Sequence, residues 1–357
     1  MKHPVQAFLH LAAAAVALCC AQAHAQTGTA VPHVAPTGKP WSAGAGFQFA
    51  DKATKTRRSV SGIACAPNAA KVPVCLLVFD EGMEARFAEL GSGKLLPQAQ
   101  GVRFGVAGKE LDAEGAATDG RFFYVTGSHA VKRGDCAPNA ASSYVLRFRR
   151  DPVTGLAAQA VEGAATPAGY QQSRRLLALI GADFQLRGSL AAGRCLGAGA
   201  LDIEALAVRD GRLHFGLRGP TEGGYAFIVS VDAEAFFAGT DPGFTVTRVA
   251  VGDRRGLRDM VAVNDGMLLL AGPDDSAHSS EAGWALALWS DKREVGQRAE
   301  TKPLATLDLS QVALGKCDRE TKPEAMTVLQ ESERGFKLLV LSDGMCDGGA
   351  MVFEIPR

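Results

Sequence analysis

From about Gly46 to the C-terminus, short apolar runs alternate with polar turns, many of which carry glycine, and the alternation repeats. Residues 113–130 read AEGAATDGRFFYVTGSHA, 203–220 IEALAVRDGRLHFGLRGP, 258–275 RDMVAVNDGMLLLAGPDD and 323–344 PEAMTVLQESERGFKLLVLSDG. A looser copy, SVSGIACAPNAAKVPVCLLVFDEG, fills 59–82. Each copy is a leading residue, acidic in four of the five, then an apolar strand, a turn and a second apolar strand. Strand repeats of this length are the signature of propellers, in which no blade can bury its faces alone.

Four strands per repeat can be assigned four times. The first blade takes 59–66, 72–80, 85–91 and 102–108, and the second 114–118, 121–127, 143–150 and 156–163. The third takes 204–208, 212–218, 225–232 and 244–251, and the fourth 259–263, 267–273, 285–291 and 303–309. The fifth has three, at 324–329, 336–342 and 350–355, and Phe47–Asp51 is expected to supply its missing strand and close the ring. The step from Glu114 to Glu204 is 90 residues, against 55 and 65 for the next two. Leu176, Leu177, Ile180 and Phe184 show helical spacing there, so 170–184 reads as a helical insertion. A sixth, degenerate blade is the alternative. The expectation is an all-β, five-bladed β-propeller over 46–357.

The N-terminus changes the picture of where the chain works. Lys2 and His3, the apolar run Val5–Cys20 and Ala23-His24-Ala25 read as a signal peptide over 1–25, cut before Gln26. Residues 26–45 read as a flexible leader, rich in Pro, Gly, Thr and Ala. A periplasmic or secreted protein is expected, without an integral membrane segment after cleavage. Cys65, Cys75, Cys136, Cys195, Cys317 and Cys346 remain, an even number that suits disulfides in an exported chain. Their offsets from the repeat predict Cys65–Cys75, Cys136–Cys195 and Cys317–Cys346. With 38 basic and 38 acidic residues and 7% aromatics, no charge excess or stacking platform points to nucleic acid.

In a propeller the start of each first strand and the end of each second strand meet at one mouth of the central channel. Glu114, Glu204, Asp259 and Glu324 should ring that mouth, joined by Asp80, His129, Arg218, Asp274 and Asp343. Such a mostly acidic ring could hold a cation, calcium suiting hard oxygen ligands, with Arg218 pointing to water and gripping a carboxylate or phosphate. Repetition also fits a plainer role, each acid capping backbone N–H groups of the neighbouring blade. Arg218 and His129 break the repeat and are the stronger functional candidates. His278 also falls near the mouth, whereas His214, in mid-strand, reads as packed. Gly91-Ser92-Gly93-Lys94 lacks P-loop spacing, and 343–349 is not an EF-hand loop. There is no HExxH or GxSxG.

The runs EGAATDGRFFYVTGSHAVKRG, LDIEALAVRDGRLHFGLRGP, GYAFIVSVD and GLRDM closely resemble an uncharacterised bacterial propeller family, domain-of-unknown-function family 3616, over about 59–355. That resemblance implies a propeller, and export in some members, with no activity attached. The acidic start of each repeat is more distantly similar to esterase-like phytase propellers. Three readings follow: an exported propeller binding an unknown small ligand at an acidic mouth, a calcium-dependent phosphoesterase using the same ring, or a protein-interaction scaffold.

Overall fold

The second strands of the repeats are apolar and buried through their central residues, and those of blades 2 and 4, Phe122–Gly127 and Gly266–Pro273, are buried along their whole length. A strand buried on both faces must be sandwiched, so every blade packs against two neighbours. The computed structural model describes residues 1, 30–50, 52–104, 106, 108–161, 166–197, 199–276, 281–290 and 298–357. The expected signal peptide, Asp51 and His278 lie outside them.

The protein is an all-β, five-bladed propeller with few helices. The N-terminal β1 (His33–Val34) and α1 (Ala53–Arg57) precede blade 1, which comprises β2 (Val60–Pro67), β3 (Pro73–Phe79), β4 (Glu84–Gly91) and β5 (Lys94–Arg103). Blade 2 comprises β6 (Ala113–Thr118), β7 (Phe122–Gly127), β8 (Val145–Arg149) and β9 (Gln171–Ser173), and α2 (Arg175–Ala182) follows it. Blade 3 comprises β10 (Asp202–Arg209), β11 (Arg212–Glu222), β12 (Tyr225–Asp232) and β13 (Thr245–Ala250), with α3 (Ala233–Ala238) between the last two. Blade 4 comprises β14 (Arg255–Val263), β15 (Gly266–Pro273), β16 (Ala285–Trp289) and β18 (Lys302–Leu307). The short β17 (Arg298–Ala299) leaves that order to pair in parallel with β13 of blade 3. Blade 5 is three-stranded, with β19 (Lys322–Ser332), β20 (Gly335–Asp343) and β21 (Met351–Pro356).

Each seam between blades holds one apolar cluster. Phe87 and Val125 meet across blades 1 and 2, Leu206 and Tyr124 across 2 and 3, Leu257 and Ile228 across 3 and 4, Leu270 and Met326 across 4 and 5, and Leu77 and Leu339 across 5 and 1. The last seam closes the ring.

Four assignments are corrected. Strand four of blade 1 is Lys94–Arg103 and not 102–108, because Ser92 and Gly93 both take left-handed φ (48° and 77°) and form a two-residue hairpin turn. That turn is the Gly91–Lys94 stretch weighed as a phosphate loop. Strand four of blade 2 is Gln171–Ser173 and not 156–163. The Asp151 carboxylate accepts from Val153 N–H (2.7 Å), the chain doubles back, and Ala157 and Gln159 make only isolated bridges. The insertion is helical where expected, with Leu176 and Ile180 buried, but Phe184 is exposed.

The described part of Phe47–Asp51, residues 47–50, does not form the fourth strand of blade 5, because the outer edge of β21 is already taken. Thr37 and Trp41 donate their N–H groups to the carbonyls of Val352 and Ala350 (2.7 Å each). Phe47 and Phe49 instead insert beside Phe79, edge to face at 5.7 and 5.0 Å. The segment read as a flexible leader is, from Pro32 onward, a strap along the rim. Its strand β1 pairs in parallel with β18 of blade 4, it follows β21 of blade 5, and Ser42 accepts from Leu95 N–H of blade 1. Phe47→Ala should therefore loosen the closing seam, at a cost of about 3–5 kcal/mol, with the loss read from the denaturant midpoint. An unchanged midpoint would show that the strap is not part of the closure.

Candidate functional site

The innermost strands share an irregularity that sets the site. Antiparallel pairing skips one residue near the start of each: Ser61 in β2, Glu114 in β6, Glu204 in β10, Arg258 in β14 and Glu324 in β19. A β-bulge of this kind leaves its extra residue unpaired and re-aims its side chain. Four of the five, all but Ser61, line a cavity of about 270 Å³ at the channel mouth. Asp80 and Asp343 reach it from the ends of the second strands of blades 1 and 5, and Arg218 reaches it from β11. Ser61 is buried, its hydroxyl donating to Ser59 O (3.2 Å).

The cavity thus brings together Asp80, Glu114, Glu204, Arg218, Glu324 and Asp343 of the predicted ring, and leaves three out. Asp259 stands one position past the bulge. It is buried, with Oδ1 accepting from Met260 N–H (2.8 Å) and Oδ2 from Met326 N–H of the next blade (2.6 Å). This is the capping role. Asp274 accepts from the Thr221 hydroxyl (2.8 Å), and its neighbour Asp275 lines the cavity instead. His129 is buried away from the cavity, with neither ring nitrogen hydrogen-bonded. Burial, helped by the charge of Arg174, pulls its pKa down to about 3, so it is neutral at physiological pH. His214 is packed in mid-strand, with Nδ1 2.8 Å from Ser230 Oγ.

Arg218 does not point to water. Its side chain is 15% exposed and pairs with Glu204 (3.0 Å) and Asp202 (3.7 Å). Arg258, which the sequence reading missed, continues the chain, with Nε 2.7 Å from Glu204 Oε2 and Nη2 paired to Glu324. Two arginines therefore hold a run of three carboxylates across blades 3, 4 and 5. Glu114 of blade 2 is different. Among the described residues its carboxylate meets no hydrogen-bond donor and no cation at ion-pair distance. Burial, then the charges of Asp112 and Glu204, push its pKa well above the usual carboxylate range. Burial raises Asp202 and Asp80 to about 7, reinforced by Glu204 and Asp343 respectively. It raises Glu324 to about 8 against the pull of Arg258.

The mouth is stapled by disulfides. All three expected pairs form, and Cys136–Cys195 and Cys317–Cys346 close the loops that carry the cavity residues Arg133 and Glu320. Among the described residues no three His, Cys, Asp or Glu stand close enough together to hold a metal ion. No helix among them is long and apolar enough to cross a membrane.

Two outcomes follow. Arg258→Ala leaves Glu204 and Glu324 facing each other in a buried setting and should cost about 3–5 kcal/mol, measured by chemical denaturation. A loss under about 1 kcal/mol would mean the pair is solvated. For Glu114 the sign is set by its raised pKa: the fold favours the protonated form, so ionisation weakens the folded state as pH rises above the unfolded value near 4. Glu114→Gln fixes the neutral form. Its melting temperature should gain on the wild type from pH 5 to pH 9, and a pH-independent difference would show that Glu114 is solvated.

The sequence and fold were compared with known proteins. No curated protein matches the sequence. Among solved structures, a glycosyl hydrolase from Bacteroides ovatus is 12% identical, with 84% of this chain and 86% of that one covered and a TM-score of 0.39. The GH43 endo-arabinanase from Bacillus licheniformis is 10% identical, with 84% and 93% covered and a TM-score of 0.36. The α-L-arabinanase of Penicillium chrysogenum is 11% identical, with 91% and 98% covered and a TM-score of 0.36. Likeness at this level does not carry activity across. The sequence does match the family described as "Protein of unknown function (DUF3616)" over residues 95–148 and 158–348, more than half its length, and the chain belongs to that family.

Proposed function

We propose that this is a ligand-binding propeller whose site is the channel-mouth cavity, working in the periplasm or outside the cell. One observation carries the reading. Of the acids at the bulge position, Glu204 and Glu324 are neutralised by arginines, while Glu114 faces the same cavity with no partner among the described residues. A carboxyl group left without a partner in a partly enclosed place costs stability and is retained where something else satisfies it. All five blades contribute to the wall, so the ring itself holds the site rigid, as a preformed site requires. The three disulfides support an oxidising compartment, in keeping with the N-terminal targeting pattern.

The phosphoesterase and scaffold readings make different demands. The first needs calcium-dependent turnover of a phosphoester, and the second needs a partner protein that ignores the cavity. The deciding test is a cavity block. Ser276 lines the mouth, and Ser276→Trp would fill it without altering its charge. A chemically mixed small-molecule library, screened by thermal shift, should yield compounds that stabilise the wild type and leave Ser276→Trp unmoved. Compounds that stabilise both proteins equally would place binding elsewhere.

A further inference from the structure

Beside the mouth lies a second cavity, of about 490 Å³, walled by blades 1, 2 and 5 and sharing Asp80, Arg133 and Asp343 with the mouth. Its charges do not cancel. Lys55 and Lys52 hold Glu81, and Lys322 sits 2.8 Å from Glu320 and 3.7 Å from Asp343. Burial raises Asp80 to about 7, so it is only partly ionised at neutral pH. Among the described residues three guanidinium groups are left uncommitted. The Arg133 side chain, exposed on the blade 2 loop, has no hydrogen bond and no ion pair. Arg319 comes no closer than 3.7 Å to a carboxylate, that of its neighbour Glu320, and its side chain makes no hydrogen bond. Arg58 donates Nε to Cys317 O, and its two terminal nitrogens make no hydrogen bond.

The backbone holds these arginines in place. Gly344 N–H donates to Arg58 O (2.7 Å), and the Gly344 carbonyl accepts from Arg319 N–H (2.8 Å), so one residue ties the two together at the seam of blades 5 and 1. Gly344 takes a φ of 85°, and a Cβ there would lie 2.5 Å from Glu320 O, so only glycine fits this clamp. The Cys317–Cys346 bridge closes the loop around it, and Cys136–Cys195 closes the loop of Arg133. Like charges held toward one cavity repel each other, and an anion between them removes that cost. A guanidinium presents parallel N–H donors, the geometry that carboxylate and phosphate oxygens accept. The arginines of the deeper mouth, Arg218 and Arg258, are already spent on Asp202, Glu204 and Glu324.

We propose that this vestibule is an anion site, binding a carboxylate or phosphate group on Arg133, Arg319 and Arg58. It stands on residues other than Glu114 and goes beyond the mouth reading. The test is isothermal titration of the intact protein with tricarballylate and with inorganic phosphate, against the neutral butanediol and the cationic putrescine. At least one of the two anions should bind. Tricarballylate alone marks a carboxylate ligand, and phosphate alone a phosphate. The affinity should fall by about tenfold or more in Arg133→Gln and in Arg319→Gln, and should weaken as salt rises from about 0.05 to 0.5 M. Both side chains are exposed, so these variants should melt as the wild type does. Ser276→Trp fills the mouth only and should leave the anion bound. If neither anion binds, or if either arginine variant binds as the wild type does, the proposal fails. Putrescine or butanediol binding in preference to the anions would overturn the ligand class. Anion binding lost in Ser276→Trp would belong to the mouth, which overturns the vestibule and leaves the ligand site proposed above standing.

Discussion

One extra residue in each innermost strand governs the centre of this molecule. The bulge takes a side chain out of the ladder five times around one axis, and in four of the blades that side chain lines the channel mouth. Had all five been acidic, like charges would have been crowded into a buried ring. Blade 4 places Arg258 there and blade 1 places Ser61, so the repulsion is divided. Arg258 joins Glu204 to Glu324, Arg218 draws Glu204 toward Asp202, and only Glu114 is left unmatched. The asymmetry of a nearly symmetric fold is concentrated at that one carboxylate.

The channel is divided along its axis as well as around it. At the far end the wall is made by Ala116, Leu206, Met260, Thr327 and their neighbours, and none of the residues lining that cavity is Asp, Glu, Lys, Arg or His. Of these two cavities, only the mouth is lined by charge. The same strands serve both ends, because an apolar run must cross the core before the next turn returns the chain to solvent.

The repeat was legible because its period and its apolar second strands are enforced by burial. Blade number, the helical insertion and the cysteine pairing all follow from counting along that period. The bulge ring was legible to within one residue, although His129 lies outside the cavity, and the slip in blade 4 has a physical cause. Aligning VRDGRLHF with VNDGMLLL by their shared Asp-Gly matches Glu204 to Asp259. The turns differ, however: Asp210-Gly211 is the turn of blade 3, whereas blade 4 turns on Asn264-Asp265 and Gly266 already belongs to the next strand. Counting from the paired ends, Arg209 and Val263, puts Arg258 opposite Glu204. A second signal was present. The position after the bulge is Gly62, Gly115, Ala205 and Ala325 in the other blades, where a Cβ on Gly115 would already lie 2.8 Å from Leu206. Asp259 is the exception there, tolerated because its carboxylate takes backbone donors from both strands it touches. The fourth strands of blades 3 and 4 were legible to within two residues, whereas those of blades 1 and 2 were not, since the polar Lys94–Arg103 and the three-residue Gln171–Ser173 carry little apolar periodicity.

The rim strap bears on how the ring is assembled. Phe47 N–H binds the carboxylate of Asp347, 300 residues away, and Thr37 binds Val352. These partners belong to the last blade, so the strap cannot complete its docking until that blade exists. Growth from the N-terminus can build blades one after another, each seeding the next through local hairpins, but it cannot finish the circle. The first blade must wait with the apolar face of β3 open to water until blade 5 arrives. Closing a loop of that span is the entropically dearest contact in the chain and the one reached last. Until it forms, the protein is an open crescent with two unguarded apolar faces, and that is the species most exposed to aggregation and proteolysis.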